Sequence, residues 1–220
     1  MSRLSSKELI AKRIAMEFKD GQLVNLGVGI PTLVPKYLPE NVEVWLEAEN
    51  GIIGAGPPAE EGEEDVFCVD ASKVFCTIKT GGCTFDSMTS FGLIRGGHLE
   101  YTVLGAFQVD KYGNIANWSV PGGRLAGMGG AMDLVTGAKK VIVATEHCTK
   151  DGSPKIMDKC TFPLTGAGVV KYIVTELAFI EVTDKGLLLR EVAPGVTKEE
   201  VIEKTGADMI IADDLKVMPV

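Results

Sequence analysis

Short runs of β-branched and other apolar residues recur along this chain, each closed by glycine or a polar turn, with stretches of helical spacing between several of them. Residues 23–26, 42–46, 74–78, 101–104, 141–144, 172–175, 178–182 and 186–192 are such runs. Their length and composition predict strands, and the continuously apolar 141–144 predicts one buried on both faces. Ser5 or Ser6 can cap a first helix whose apolar face is Leu9, Ile10, Ile14 and Phe18, and Gly21 follows where a left-handed cap is wanted. Pro31, just beyond strand 23–26, suits the first turn of a second helix, because its missing N–H would be unpaired there in any case. Residues 87–94 predict a short helix stopped at Arg95-Gly96-Gly97-His98, and residues 197–205 another, with Thr197 and Glu200 at capping-box spacing. Residues 57–65 read as a solvated acidic loop and 108–113 as a turn. A glycine-dense stretch, 122–134, leads into a helical piece ending at 137–140. This grammar predicts an α/β fold, a three-layer α/β/α sandwich around a mainly parallel sheet. With 220 residues, no repeat and no long linker, positions 1–220 read as one domain.

Several classes of function are excluded by simple counts. A net charge of −8 argues against nucleic acid and anionic membranes as partners, though backbone dipoles can still hold an anionic ligand. The cysteines Cys68, Cys76, Cys83, Cys148 and Cys160 form no C-x-x-C pair, and with His98 and His147 they offer no zinc spacing. No metal is expected, and an odd number of thiols reads as reduced cysteine in a cytoplasmic enzyme. The first eight residues lack the apolar core of a signal peptide, and no run approaches a membrane span.

The motifs leave carboxylates as the reactive groups. Gly27-Val28-Gly29-Ile30-Pro31-Thr32 and Gly127-Met128-Gly129-Gly130-Ala131-Met132 both fail the third position of a dinucleotide fingerprint, and neither is a P-loop. Turn-making glycines are the commoner explanation of such pieces, yet their bare N–H groups can face an oxyanion or a ligand carbonyl. No serine sits in a G-x-S-x-G elbow, and His147 and Cys148, adjacent on a strand, point to opposite faces. Glu49, in the turn Glu49-Asn50-Gly51 after strand 42–46, stands at the mouth of the sheet, where α/β folds keep their chemistry. On spacing alone a solvated turn glutamate is the commoner reading. Glu47 shares its strand face by the two-residue period, and two close carboxylates raise at least one pKa.

Blocks in fixed order change that balance. The chain closely resembles the β subunit of class I (family I) coenzyme A transferases through 25–32, 49–52, 93–98, 103–109, 113–118, 127–134, 159–165 and 173–176. In that family the glutamate of a Ser-Glu-Asn-Gly motif is the nucleophile, which maps onto Glu49. Ala48 stands in place of the usual serine, and Glu47 where glutamine is common. The resemblance implies that Glu49 attacks an acyl-CoA and then carries CoA as a glutamyl thioester, with no permanently bound cofactor. It implies that Gly129, Gly130 and Ala131 offer oxyanion donors, beside Gly27 and Gly29. It further implies that Asn25 touches the reacting carboxyl groups and that Lys73 helps to hold substrate or CoA. The expected partner is an α subunit in an α2β2 heterotetramer. The expected substrates are short-chain acids or 3-oxoacids and their CoA esters. A rival reading is an α/β ligand-binding domain or a sugar-phosphate isomerase of related architecture, although no phosphate-binding pattern appears.

Overall fold

Ser5 starts the first helix by a reciprocal cap: its hydroxyl accepts the Glu8 N–H, and the Glu8 carboxylate accepts the Ser5 N–H at 3.0 Å. In this computed structural model, which describes residues 4–123 and 127–220, helix α1 (Ser6–Ala15) leads to β1 (Leu23–Leu26), a 3-10 helix (Ile30–Tyr37), β2 (Trp45–Ala48), β3 (Ile52–Pro58) and β4 (Cys76–Thr84). Then come α2 (Ser87–Arg95), β5 (Tyr101–Leu104), β6 (Gln108–Asp110), β7 (Ile115–Ala116), α3 (Ala131–Gly137) and β8 (Lys140–Ala144). The chain ends with β9 (Ile156–Met157), β10 (Val170–Val174), β11 (Ala178–Thr183), β12 (Gly186–Val192), α4 (Lys198–Lys204) and β13 (Met209–Val217).

Ten strands form one mixed sheet in the order β13-β12-β11-β10-β8-β5-β1-β2-β3-β4. Its centre, β10-β8-β5-β1-β2, is parallel, while β3, β4, β11 and β12 join by antiparallel pairing and β13 lies parallel to β12. The two-residue period of β8 shows why helices lie on both faces. Val141 and Val143 pack with Ile94 of α2, Leu134 and Val135 of α3, and Val201 of α4. Ile142 and Ala144 pack on the other side with Ile10 and Ile14 of α1 and Val34 of the 3-10 helix. A small sheet, β7-β6-β9, extends the first of these layers. Arg13 clamps α1 across the sheet, donating to both Glu191 oxygens at 2.6 and 2.9 Å while its guanidinium lies 4.0 Å above the Phe179 ring.

Tertiary pairing corrects several local expectations. Helix α1 stops at Ala15, and Gly21, at φ +75°, serves the turn into β1, where its N–H bonds the Glu43 carbonyl. The segment after β1 is a 3-10 helix because Pro31 and Pro35 remove the donors an α ladder would need. Strand 42–46 is shifted to Trp45–Ala48, since pairing begins where Leu23 faces Trp45. Strand 74–78 likewise becomes Cys76–Thr84, and the loop predicted from Pro57 yields its first two residues to β3. Residues 108–110 are a strand, held by β7 and β9, before the expected turn begins. At α4 only half of the capping box forms: Thr197 accepts the Glu200 N–H, but the Glu200 carboxylate turns to Lys204. Strand β13 has no counterpart among the predicted elements. Residues 124–126 of the glycine-dense stretch and residues 1–3 of the N-terminal reading lie outside the described residues.

Candidate active site

Strand β2 ends at Ala48, and a tight turn returns the chain along β3, with Glu47 opposite Ile53 and Ala48 opposite Ile52. The turn closes through the Gly51 N–H on the Ala48 carbonyl at 2.9 Å. Gly51 is required there. Its φ is +120°, and a Cβ would fall 2.0 Å from the Phe85 carbonyl oxygen, whose own residue donates its N–H back to Gly51. Asn50 donates to the Val69 carbonyl at 2.6 Å and ties the turn to the following loop. Glu49 is thereby held at the carboxyl end of the parallel strands, half-buried.

The glycine-dense stretch meets that carboxylate. The Gly130 N–H donates to Glu49 Oε1 at 3.4 Å, and a Cβ on Gly130 would stand 2.3 Å from Oε2. Glycine is what lets the backbone come this close. Phe91 of α2 flanks the same spot, 3.0 Å from that Cβ position. Burial pushes the Glu49 carboxyl pKa above its ordinary value, the Gly130 N–H pulls it back, and the nearby Asp133 charge raises it further. Asp133 is itself bonded to Arg95 at 2.7 Å.

Behind Glu49 lies a second carboxyl group. Glu47 is 3% exposed; Asn25 donates to its Oε2 at 2.9 Å and Ser90 to its Oε1 at 2.9 Å. Asn25 spends a further contact on the Glu47 backbone carbonyl at 3.3 Å and accepts the Thr102 hydroxyl at 3.2 Å. Both ends of the Asn25 amide are thus engaged within the protein, so in this arrangement it supports Glu47 rather than pointing outward. Burial raises the Glu47 pKa, the Asn25 and Ser90 bonds lower it, and the Glu49 charge raises it again.

The other anticipated residues are dispersed around this centre. Gly27 gives its N–H to the Val103 carbonyl, and a Cβ there would strike Leu104 at 2.8 Å, so Gly27 serves close packing of β1 on β5. Gly29 turns the chain at φ +94° with open space beside it. The Ala131 N–H is taken by the Met128 carbonyl, and Gly129 faces Glu49 Oε1 from 3.8 Å by its Cβ position. Lys73 sits in an exposed turn at φ +66° and forms no ion pair among the described residues. Ser90, Thr102 and Asp133 escaped the reading by motif, since a serine on a helix and a threonine on a buried strand carry no local mark. The two-residue offset of Glu47 from Glu49 was the one available hint. No helix among the described residues is long and apolar enough to cross a membrane.

Comparison with known proteins bears on this geometry. The coenzyme A transferase family model matches residues 7–204. Acetate CoA-transferase subunit beta of Haemophilus influenzae is 53% identical over 217 residues, covering 99% of this chain and 97% of that protein. The mitochondrial succinyl-CoA:3-ketoacid coenzyme A transferase 2A of Rattus norvegicus is 50% identical over 211 residues, 95% of this chain but 41% of that longer one. Among solved structures, the acyl-CoA transferase (YdiF) apoenzyme of Escherichia coli O157:H7 superposes with a TM-score of 0.77 at 23% identity, over 99% of this chain and 44% of that one. The chain therefore spans less than half the length of those two proteins, and nearly all of the bacterial subunit. With a family model running through almost every element described above and about half its residues shared with a subunit of equal span, this chain belongs to the coenzyme A transferase family, as a subunit of the β type.

Proposed function

We propose that this chain supplies the nucleophile of a two-chain enzyme that moves coenzyme A between a short-chain acyl-CoA and a short-chain acid or 3-oxoacid. The observation that carries the reading is the Glu49 carboxylate held half-buried under the Gly130 N–H at the mouth of the parallel sheet. One Glu49 oxygen attacks the thioester carbonyl, the C–S bond breaks, and an acyl-glutamyl anhydride and CoA thiolate result. The thiolate attacks the glutamyl carbonyl and expels the first carboxylate, leaving CoA on Glu49. The acceptor carboxylate then attacks that thioester, releasing thiolate, which takes the new acyl group from the anhydride and frees Glu49. Thioester energy is conserved throughout so long as water is kept out.

Each tetrahedral step places negative charge on an oxygen beside Glu49, where the Gly130 amide is already oriented; Gly129 completes the same turn. Gly27, Gly29 and Lys73 contribute, in this reading, to the shape of the wider CoA path. The partner is an α subunit in an α2β2 assembly, supplying the rest of the pocket, as the longer single-chain relatives would carry both halves in one polypeptide. All five cysteines are free, which suits the reducing cytoplasm.

The test is covalent trapping in the reconstituted pair. Incubation with acyl-CoA alone, borohydride reduction and peptide mass analysis should find the Glu49 peptide altered. The Glu49→Ala pair should lose roughly 10⁴-fold or more in turnover with an unchanged melting temperature. An unmodified Glu49 peptide, or full activity in Glu49→Ala, would move the nucleophile elsewhere.

A further inference from the structure

Two thiols pack against the turn that carries Glu49. Cys68 and Cys76 face one another across a short hairpin: Val69 and Phe75 are antiparallel bridge partners, and the Cys76 N–H bonds the Cys68 carbonyl at 3.1 Å. Directly opposed residues of such a pair project from one face, and here the two sulfurs come within 3.9 Å. Both thiols are free; Cys68 is partly exposed and Cys76 is buried. Cys148 and Cys160 differ, each thiol being spent on a backbone carbonyl at 3.7 Å.

The surroundings of the pair give it consequence. Cys76 forms a small core with Ala48 and Ile52, the residues that flank Glu49-Asn50-Gly51, and Cys68 packs against that core. The adjacent Val69 carbonyl accepts the Asn50 amide at 2.6 Å. The hairpin therefore meets the turn twice, once by packing and once by a hydrogen bond.

We propose that Cys68 and Cys76 are an oxidation site, a dithiol that a small disulfide such as glutathione disulfide closes into an S–S bond, slowing transfer by displacing the Glu49 turn. The Cys68 thiolate, the more accessible, attacks the reagent's S–S bond, which forms a mixed disulfide and expels one thiolate. The Cys76 thiolate then attacks the Cys68 sulfur and expels the second. Two cysteine thiols are oxidised to one disulfide, one reagent disulfide is reduced to two thiols, and the two cysteine protons end on those thiols. Burial, and then the hydrogen-bonded Cys68 thiol, push the Cys76 thiol up to about 11, so the second step is the slow one. Closing the bond draws the sulfurs to about 2.05 Å, and the hairpin and its small core must move to allow it. A displacement of about 1 Å at a reacting group can cost about a hundredfold in rate.

The reconstituted enzyme is equilibrated in glutathione buffers of rising disulfide content, assayed for acyl exchange and mapped by peptide mass without reduction. A Cys68–Cys76 linkage should appear, the rate should fall about tenfold or more in step with it, and dithiothreitol should restore both. Cys68→Ser should match the wild-type rate in reductant and hold it in the oxidising buffers. Should that variant fold poorly, the wild type decides alone, because the loss must track the linkage. Absence of the linkage, linkage without loss of rate, or an equal loss in Cys68→Ser overturns the proposal. Its rate arm rests on Glu49 being the attacking group, so Glu49→Ala is assayed alongside. If that variant is inactive, a failure in the thiol experiment rejects this inference alone. If it is active, the nucleophile assignment falls, and the peptide map still decides the linkage.

Discussion

Two buried polar clusters sit at the carboxyl ends of strands in the same parallel sheet, and they are built to opposite purposes. Around Glu47, neutral donors converge on a carboxyl group whose neighbour, Glu49, is half-buried with the Gly130 N–H on its carboxylate. Just past β8, His147 is fully buried, its Nδ1 3.0 Å from the Thr175 hydroxyl and its Nε2 2.9 Å from the Thr205 hydroxyl. The second cluster is closed. Thr205 donates to the Val201 carbonyl, which leaves its oxygen to accept an N–H from Nε2. Thr175 already accepts the N–H groups of Leu177 and Ala178, so its hydroxyl can only donate, to Nδ1 at 3.0 Å or to the Ala178 carbonyl at 3.4 Å. A second ring proton would aim at an oxygen with no room to accept it. Burial first and the Lys204 charge second hold the His147 pKa down to about 4. Similar residue types at the carboxyl ends of the strands thus give a half-buried carboxylate in one place and a sealed neutral strut in the other. The difference lies in whether the last residue of the cluster has its polar atoms consumed.

Breaking the open cluster should cost most. Gly130→Ala puts a methyl group where 2.3 Å separates it from Glu49 Oε2, so turnover should fall by roughly 10²- to 10³-fold while the melting temperature changes little. Retention of activity, measured as acyl exchange in the reconstituted pair, would mean that the close approach of the Gly130 backbone to Glu49 is not needed for turnover.

The closed cluster should respond to acid. Burial holds the folded His147 pKa at about 4 against an ordinary value of 6.5, so the unfolded chain takes up the proton first as pH falls. Its contribution is complete above pH 6.5 and is lost as pH drops toward 4, by up to about 3 kcal/mol. The raised carboxyls Glu47, Glu49 and Glu176 act in the opposite sense, gaining stability on protonation. Urea unfolding of wild type and His147→Leu across that window isolates the histidine, because the variant should lose this part of the slope. Equal slopes in the two proteins would show that His147 does not govern acid sensitivity.

The smallest effect belongs at the rim of the open cluster. Thr102→Val keeps the shape of the side chain but withdraws the hydroxyl from Asn25 Oδ1, and should cost about 1 kcal/mol in chemical denaturation. A cost as large as that of the closed cluster would erase the contrast drawn between them.

Much of this was legible locally. Val141 to Ala144 is apolar at every position, the mark of a strand covered on both faces, and a cap at Ser5 or Ser6 was readable although only the structure chose Ser5 and paired it with Glu8. Edges were less legible: β13 mixes Ile210 and Ile211 with Asp213 and Asp214, a pattern without clean alternation, and it is a strand because β12 offers it an open edge. The site divides in the same way. Glu49 could be named from its turn and from family resemblance, whereas Ser90 and Thr102 lie 43 residues from Glu47 and 77 from Asn25 respectively, and only folding brings them together.

The order of residues by itself determined the alternation of strand and helix, the glycine turns and the carboxylate in the turn after β2, because each depends on backbone preference and on periodicity within a few neighbours. Tertiary structure alone decided that Gly130 should face Glu49, that Asn25 should turn toward Glu47, and that His147 should be neutral. Those outcomes depend on which polar atoms meet across the sheet and how much water is left between them, and neither quantity is written in any short stretch of chain.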